Sequence, residues 1–430
     1  MAAIVNRAKY YDPVLFGLTV LATVLGLAFI FDAGYARSLS KGNGYIPGEF
    51  RQQMIYFAAG LIGYWVVVRF HAEQWVKASK IIWLFSLVLL VAVEFVGTTL
   101  NGATRWINLG PINLQPAEFA KLATVIYLAG CFAERPEWPT KKYKHWSAWL
   151  DATLVPKLTR CAPGIWVLLA IVLIEKEPDL GTAAVVAATA FAMFFAGGVS
   201  KKSIAACCCL GIFGAGLMIW KQPYRLDRIV NHNHRWDMKN VDDIGFQTVQ
   251  SELGMATGAV LGVGPGAGRS KHIMPATTTD FVMATVGEEF GLVGALLVLG
   301  SLGALVWRLL TLARKVEKRF QMLVLFGVAA WIGIQSTVNF MMANGTLPAI
   351  GIPLPFISSG GSSLVALWLA LGVCQSMLLP IPKKEEKKIA PSRQRWGNGG
   401  TRVSRARSGS TRPGAGRGTP VPRIPAGPRG

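Results

Sequence analysis

The chain has 430 residues, 52% apolar and only 16% charged, with a mean hydropathy of +0.40. Soluble domains average about 25% charged residues, so a string of soluble domains is excluded as its main organisation. The net charge of +21 fits basic cytoplasmic loops and anionic lipid; nucleic acid is not expected as a partner.

A membrane span needs roughly 20 apolar residues. Apolar runs near 14–31, 53–70, 80–97, 117–133, 163–175, 180–198, 203–220, 281–308, 321–343 and 362–381 predict ten transmembrane helices, the fifth short. Backbone groups in lipid must be satisfied internally, which leaves helices as the spanning element. The expected fold class is therefore all-α: a polytopic membrane protein with one long extracytoplasmic loop at about 221–280. Lys and Arg crowd the short loops on the N-terminal side, as at Lys141, Lys142, Lys144, Arg314 and Lys315. Short loops decide orientation, so both termini are expected in the cytoplasm. Residues 1–13 read as a cytoplasmic N-terminus, 14–382 as the membrane domain and 383–430 as a tail. That tail holds 13 Lys+Arg against Glu385 and Glu386, is rich in Gly, Pro and Ser, and is expected to be disordered.

Ionisable groups in or beside spans are expensive and are functional candidates. Ahead of the fourth span, Arg105-Trp106 reads either as an interface anchor or as an anion contact, since Arg suits bidentate phosphate binding. Glu118 and Lys121 are three residues apart and can pair on one helix face, as a packing ion pair or as part of a site. Asp179, after Pro178, reads as a cap for the sixth span. The long outer loop carries Arg225, Asp227, Arg228, His232 and His234. Two histidines without ligand geometry read as solvated loop residues.

Next comes GVGPGAGRSKHIMPATTTDFVMATVGEEFG, residues 262–291. Alternating glycines can form an anion-binding backbone nest. With Arg269 and Lys271 beside them, they suit a diphosphate at the membrane surface. Asp280 reads as an N-cap for the eighth span, or as an acid placed for chemistry. Glu288 and Glu289 point about 100° apart on a helix, so they are not one solvated face. Finally, LPAIGIPLPFISSGGSS, residues 347–363, breaks any helix with three prolines and Gly-Gly. Non-helical backbone at membrane depth must line a cavity or be buried in protein, so this segment reads as a cavity wall.

Taken together, NGATRWINLG, QPAEFAK, EPDLGTA, YRLDRI, TDF with GEEFG, and PLPFISSGGSS resemble the SEDS family of peptidoglycan glycosyltransferases (the FtsW, RodA and SpoVE group). The motifs stand in the family's order from about residue 11 to 380. NGATRW, the YLA of the fourth span and the long polar tail are most like its FtsW-type, cell-division branch; an elongation polymerase and a lipid II flippase are the alternatives. The resemblance implies inverting polymerisation of lipid II on the outer face of the bacterial cytoplasmic membrane, with the division septum as the expected place. Lipid II and undecaprenyl-diphosphate-linked glycan would be its substrates, and a class B penicillin-binding protein (a transpeptidase) and other divisome proteins its partners. Asp280 matches the family's essential aspartate and would act as general base. Arg105, Glu118 and Lys121 match its characteristic arginine and Glu/Lys pair. Arg105, Lys121, Arg225, Arg228, Arg269 and Lys271 are the candidate diphosphate contacts, and Ser358 and Ser362 of the cavity wall join them as substrate contacts. No cofactor is certain; a divalent cation (Mg or Mn) would offset diphosphate charge, with metal ligands unassigned. Ser359 stands where the family usually has tyrosine.

Overall fold

The computed structural model describes residues 10–380 apart from 41, 43, 101, 102, 109, 111, 135–160, 221–226, 228, 229, 231, 242, 244, 275 and 276. Arg225, Arg228 and the tail predicted at 383–430 lie outside the described residues.

Ten helices coincide with the ten apolar runs. They are α1 (Pro13–Ser40), α2 (Gly48–Val67), α3 (Ala72–Val96), α4 (Pro116–Cys131), α5 (Pro163–Lys176), α6 (Leu180–Ala196), α7 (Lys201–Trp220), α10 (Val282–Ala313), α11 (Arg319–Ala343) and α12 (Gly361–Ser376). Among the described residues, four of them, α1, α3, α10 and α11, contain stretches long and apolar enough to cross a membrane unaided. The long loop before α10 adds α8 (Phe246–Gly258) and the single turn α9 (Ser270–Ile273).

Local chemistry sets several starts. Pro116 opens α4 in its first turn, where its missing N–H costs nothing. Asp179 caps α6, its Oδ1 accepting from the Thr182 amide at 3.0 Å, as its position predicts. One addition to the all-α expectation lies between α3 and α4. Three antiparallel strands, β1 (Thr98–Leu100), β2 (Ala103–Asn108) and β3 (Asn113–Leu114), form a small ribbon. Its threonines, Trp106 and Ile107 favour strand geometry, and the pairs Ile107↔Leu114 and Asn108↔Asn113 fix its register.

α4 is the buried axis of the bundle. It packs against α3, α6 and α11, and Tyr127 stacks on Trp83 with ring centroids 5.0 Å apart. Around it, α2 packs on α12, α1 on α10, and α10 on α11. The outward faces stay apolar, as at Ile81, Leu84, Phe85 and Val88 of α3 and Leu292, Val293, Leu296 and Leu297 of α10.

α10 is broken. Gly291 has φ +62° and ψ −157°, a conformation open only to glycine at low cost. The loop after α8 enters the gap. Leu292 N donates to Ala259 O at 2.9 Å and Val293 N to Val260 O at 3.2 Å, while Val263 N and Gly264 N donate to Glu288 O and Glu289 O at 2.9 and 3.0 Å. Every freed helix group named here thus finds a backbone partner, the condition for irregular backbone in a membrane bundle. The approach leaves no room for a side chain: a Cβ on Gly262 would stand 2.1 Å from Glu289 O.

Candidate active site

Asp280 is the fourth residue of the turn 277–281 that leads into α10. Phe281 occupies the N-cap position and Val282 begins the helix, so Asp280 sits one residue ahead of the expected cap. The non-helical segment 351–359 lies against this turn and is stitched to it. Ser359 N donates to Thr278 O at 2.7 Å, and the Ser358 hydroxyl donates to Thr279 O while accepting from Leu354 N at 2.8 Å. Asn339 of α11 closes the join: its Nδ2 donates to Asp280 O at 2.8 Å and to Ile352 O at 2.7 Å. The Asp280 side chain is partly exposed and borders Gly351, where a Cβ would stand 3.6 Å from Asp280 Oδ2. Gly351 itself has φ +72°. The proline-rich run is therefore a wall beside the aspartate, as its sequence suggests.

Four residues before Asn339 on the same helix, Gln335 serves a second acid–base pair. Lys121 Nζ donates to Glu118 Oε1 at 2.8 Å and to Gln335 Oε1 at 3.0 Å. Trp331 Nε1 also donates to Gln335 Oε1, at 2.7 Å, and Gln335 Nε2 donates to Pro353 O at 2.8 Å. Lys121 Nζ stands 5.3 Å from the Trp331 ring centroid, within cation–π range. The predicted Glu118–Lys121 pair forms and is buried, at 2% and 1% side-chain exposure. Trp331, Gln335 and Asn339 make one stripe on α11 that ties this pair, through residues 352 and 353, to the Asp280 turn.

A third group lies where α5 turns into α6. Arg105 Nε donates to Glu177 O at 2.8 Å, and a second guanidinium nitrogen donates to Pro178 O. The expected phosphate fork is thus spent on two carbonyls. Gln115 Nε2 donates to Asp179 Oδ2 at 2.9 Å. Ser362 Oγ donates to Asn113 O and accepts from Gln115 N, at 2.8 and 2.9 Å. Ser358 and Ser362, expected as substrate contacts, thus hold backbone here. Burial, reinforced by Asp179 and Glu94 and opposed by Arg105, pushes the Glu177 carboxyl in this turn up to about 9. The group adjoins the aspartate through Gly181, whose missing Cβ would meet Ile350 O at 2.8 Å and Gly351 O at 3.1 Å.

The glycine nest departs most from expectation. It holds anions, but they are the protein's own. Glu289 accepts from Gly266 N at 3.0 Å and Gly268 N at 3.1 Å, and Glu288 from Arg269 N at 2.8 Å and Ser270 N at 2.9 Å. The Ser270 hydroxyl also donates to Glu288. Lys271 is 3% exposed and pairs with Glu289 at 2.6 Å and Asp32 of α1 at 3.2 Å. It is therefore not open to a diphosphate, whereas the Arg269 side chain is exposed. The two adjacent acids mark the nest's occupants because backbone N–H groups and carboxylates are complementary whatever the origin of the anion.

In the loop between α7 and α8, burial, seconded by the Arg235 charge, holds the His232 imidazole below its usual range. His234 pairs with Asp237 at 3.3 Å in solvent. Among the described residues, no three His, Cys, Asp or Glu side chains are grouped to hold a metal ion. The reading by residue type overlooks Asp32, Gln115, Gln335 and Asn339. Only the last two carry a signal, as amides spaced i, i+4 within an apolar run.

The family model for the cell cycle proteins FtsW, RodA and SpoVE matches residues 13–379. A relative from Haemophilus influenzae, named probable peptidoglycan glycosyltransferase FtsW, is 33% identical over 86% of this chain and 91% of its own. One of the same name from Saccharophagus degradans is 34% identical over 73% of this chain and 79% of its own. Among solved structures, a chain of a peptidoglycan synthase complex that coordinates polymerization and crosslinking superposes with a TM-score of 0.67. It is 27% identical, covering 86% of this chain and 97% of that one. The rod shape determining protein RodA of Thermus thermophilus gives a TM-score of 0.60 at 26% identity, over 86% and 96% of the two chains. With ten helices on the ten apolar runs and a match over nearly the whole bundle, this chain is a polytopic membrane protein that belongs to the FtsW/RodA/SpoVE family.

Proposed function

We propose that this protein is a peptidoglycan glycosyltransferase that polymerises lipid II, with Asp280 as its general base. The observation that carries the reading is the built position of that carboxylate. Four hydrogen bonds from Ser358, Ser359 and Asn339 join its turn to the 351–359 wall, and the carboxylate borders the wall at Gly351. Asp280 would take the proton from the acceptor sugar's hydroxyl. The oxygen then attacks the donor's anomeric carbon with inversion, and the carbon–oxygen bond to the diphosphate breaks. Undecaprenyl diphosphate leaves with that electron pair, and the proton stays on Asp280 until released to water. A positioned base of this kind contributes about 10²–10⁴-fold.

Of the six cations expected around the diphosphate, Arg269 is the exposed one among the described residues. Arg105, Lys121 and Lys271 are instead engaged by backbone carbonyls and in buried pairs. The names of the curated relatives favour the division branch. We place the protein in the bacterial cytoplasmic membrane at the septum, with both termini inside, the side that the basic short loops favour, and Asp280 on the outer face. A class B transpeptidase partner fits the resemblance to a synthase complex.

The test is glycan synthesis from labelled lipid II by the purified full-length chain, alone and with its transpeptidase. Wild type should yield polymer, and folded Asp280→Asn should yield at most about one hundredth as much, within the range expected for a lost base. Normal polymer from Asp280→Asn would remove the base assignment. Lipid II movement across vesicles without polymer would favour transport instead.

A further inference from the structure

We infer that Asn339 is a positioning residue that sets the Asp280 turn against the 351–359 wall, resting on the reading of Asp280 as base. Asn339 is fully buried. Its two amide hydrogens go to two different elements, Asp280 O at 2.8 Å and Ile352 O at 2.7 Å. An amide nitrogen is the neutral side-chain group of this size that can donate to two carbonyls at once. The bridge fixes the backbone of the reacting residue itself. It also fixes the neighbour of Gly351, which Asp280 Oδ2 borders.

Asn339 Oδ1, however, is buried with no hydrogen-bond partner among the described residues. A buried unpaired acceptor is destabilising, and an apolar side chain of the same shape would avoid it. Such a violation of local consistency is expected where function is served. Gln335 repeats the device one turn away, linking Pro353 O to Lys121, so α11 acts as a two-point gauge for the wall. The gauge works on geometry alone: Asn339 bonds backbone at both ends, touches no reacting atom in this arrangement and takes no proton.

Misplacement by about 1 Å at a reacting group can cost about 10²-fold in rate. The test compares Asn339→Leu and Asn339→Ala, neither of which has a side-chain donor, in the lipid II assay with the full-length chain. Ser336→Ala is the control, since it removes a buried hydroxyl that bonds only Ile332 O on the same helix. The expected result is a fall in kcat of about 10²-fold in both variants, with KM for lipid II changed less than about threefold. The two variants should lose rate alike even though Asn339→Ala leaves a cavity that Asn339→Leu fills, which drives their stabilities apart. Rates that instead track stability, or folded Asn339→Leu within about threefold of wild-type kcat, overturn the inference. Should Asn339→Leu not fold, Asn339→Ala and Asn339→Ser are read by the same kcat and KM criterion. A set in which none folds overturns a positioning role separable from folding. Asp280→Asn runs alongside. If it is active, the base reading falls whatever Asn339 does; if it is inert while Asn339→Leu is fully active, positioning alone falls.

Discussion

Replacing Glu289 by alanine should be among the most damaging single changes outside the Asp280 turn. The Glu289 side chain is fully buried and is the nearer partner of Lys271, at 2.6 Å, itself 3% exposed. Removing one member of a buried ion pair typically costs about 3–5 kcal/mol, because the remaining charge stays buried. Asp32 remains 3.2 Å from Lys271 and is 25% exposed, which retains part of the compensation. Against that, Gly268 N is buried and loses its acceptor, a further cost of about 1–3 kcal/mol. The net expectation is a loss of about 3–4 kcal/mol, and for Glu289→Gln, which keeps an acceptor but not the charge, about 1.5–3 kcal/mol. SDS denaturation of the solubilised chain, followed by tryptophan fluorescence, measures the loss. Limited proteolysis should cut the 259–271 loop of Glu289→Ala before the rest of the bundle. A double-mutant cycle of Glu289→Gln with Lys271→Met should show strong coupling, since the pair is in contact. A stability for Glu289→Ala within about 0.5 kcal/mol of wild type, as for an ordinary surface change, would refute the idea that these carboxylates hold the loop.

Two further outcomes follow from other contacts. Gly181→Val would push against Ile350 O and Gly351 O, which a Cβ there already meets at 2.8 and 3.1 Å. It should lower lipid II polymerisation at least about tenfold through displacement of the Asp280 wall, with helical circular dichroism retained; unchanged activity would contradict the close packing. His232 has a folded pKa below its unfolded value, so the unfolded chain takes up its proton first as pH falls. The resulting stability is complete above the unfolded pKa of about 6.5 and is lost as pH drops from there through the folded value. His232→Gln should flatten that acid-side slope in denaturation measured from pH 7.5 to 5, and an unchanged slope would exclude His232 as its source.

The spans were legible because hydropathy reports burial in lipid directly: each of the ten runs overlays one helix. Short-range chemistry was legible too, as in the Asp179 cap and the Glu118–Lys121 pair, whose partners lie within three residues. Long-range partners were not. Lys271 and Asp32 are 239 positions apart, and nothing local to either names the other. The glycine nest was recognisable as an anion site, but its occupants lie about twenty residues downstream, and a carboxylate there satisfies the same chemistry as a phosphate. Arg105 was legible as a fork and not in its target, because main-chain carbonyls carry no residue type. The ribbon was missed because β1 and β3 are only three and two residues long, and the six residues of β2, ATRWIN, do not alternate apolar with polar.

The break at Gly291 also sets how tall the molecule stands around its proposed base. An unbroken α10 of 32 residues would run about 48 Å, well beyond a hydrocarbon core of about 30 Å. Divided at Gly291, the part from 292 to 313 is about 33 Å long, a near match to that core. The part from 282 to 290 is about 13 Å long and is bonded to the loop after α8 rather than continued from the span. That upper segment stands on a joint clamped from both sides, since the same loop bonds Leu292 and Val293 below Gly291 and Glu288 and Glu289 above it. The distance from the Asp280 turn to the long helical part is then written into nine residues of chain.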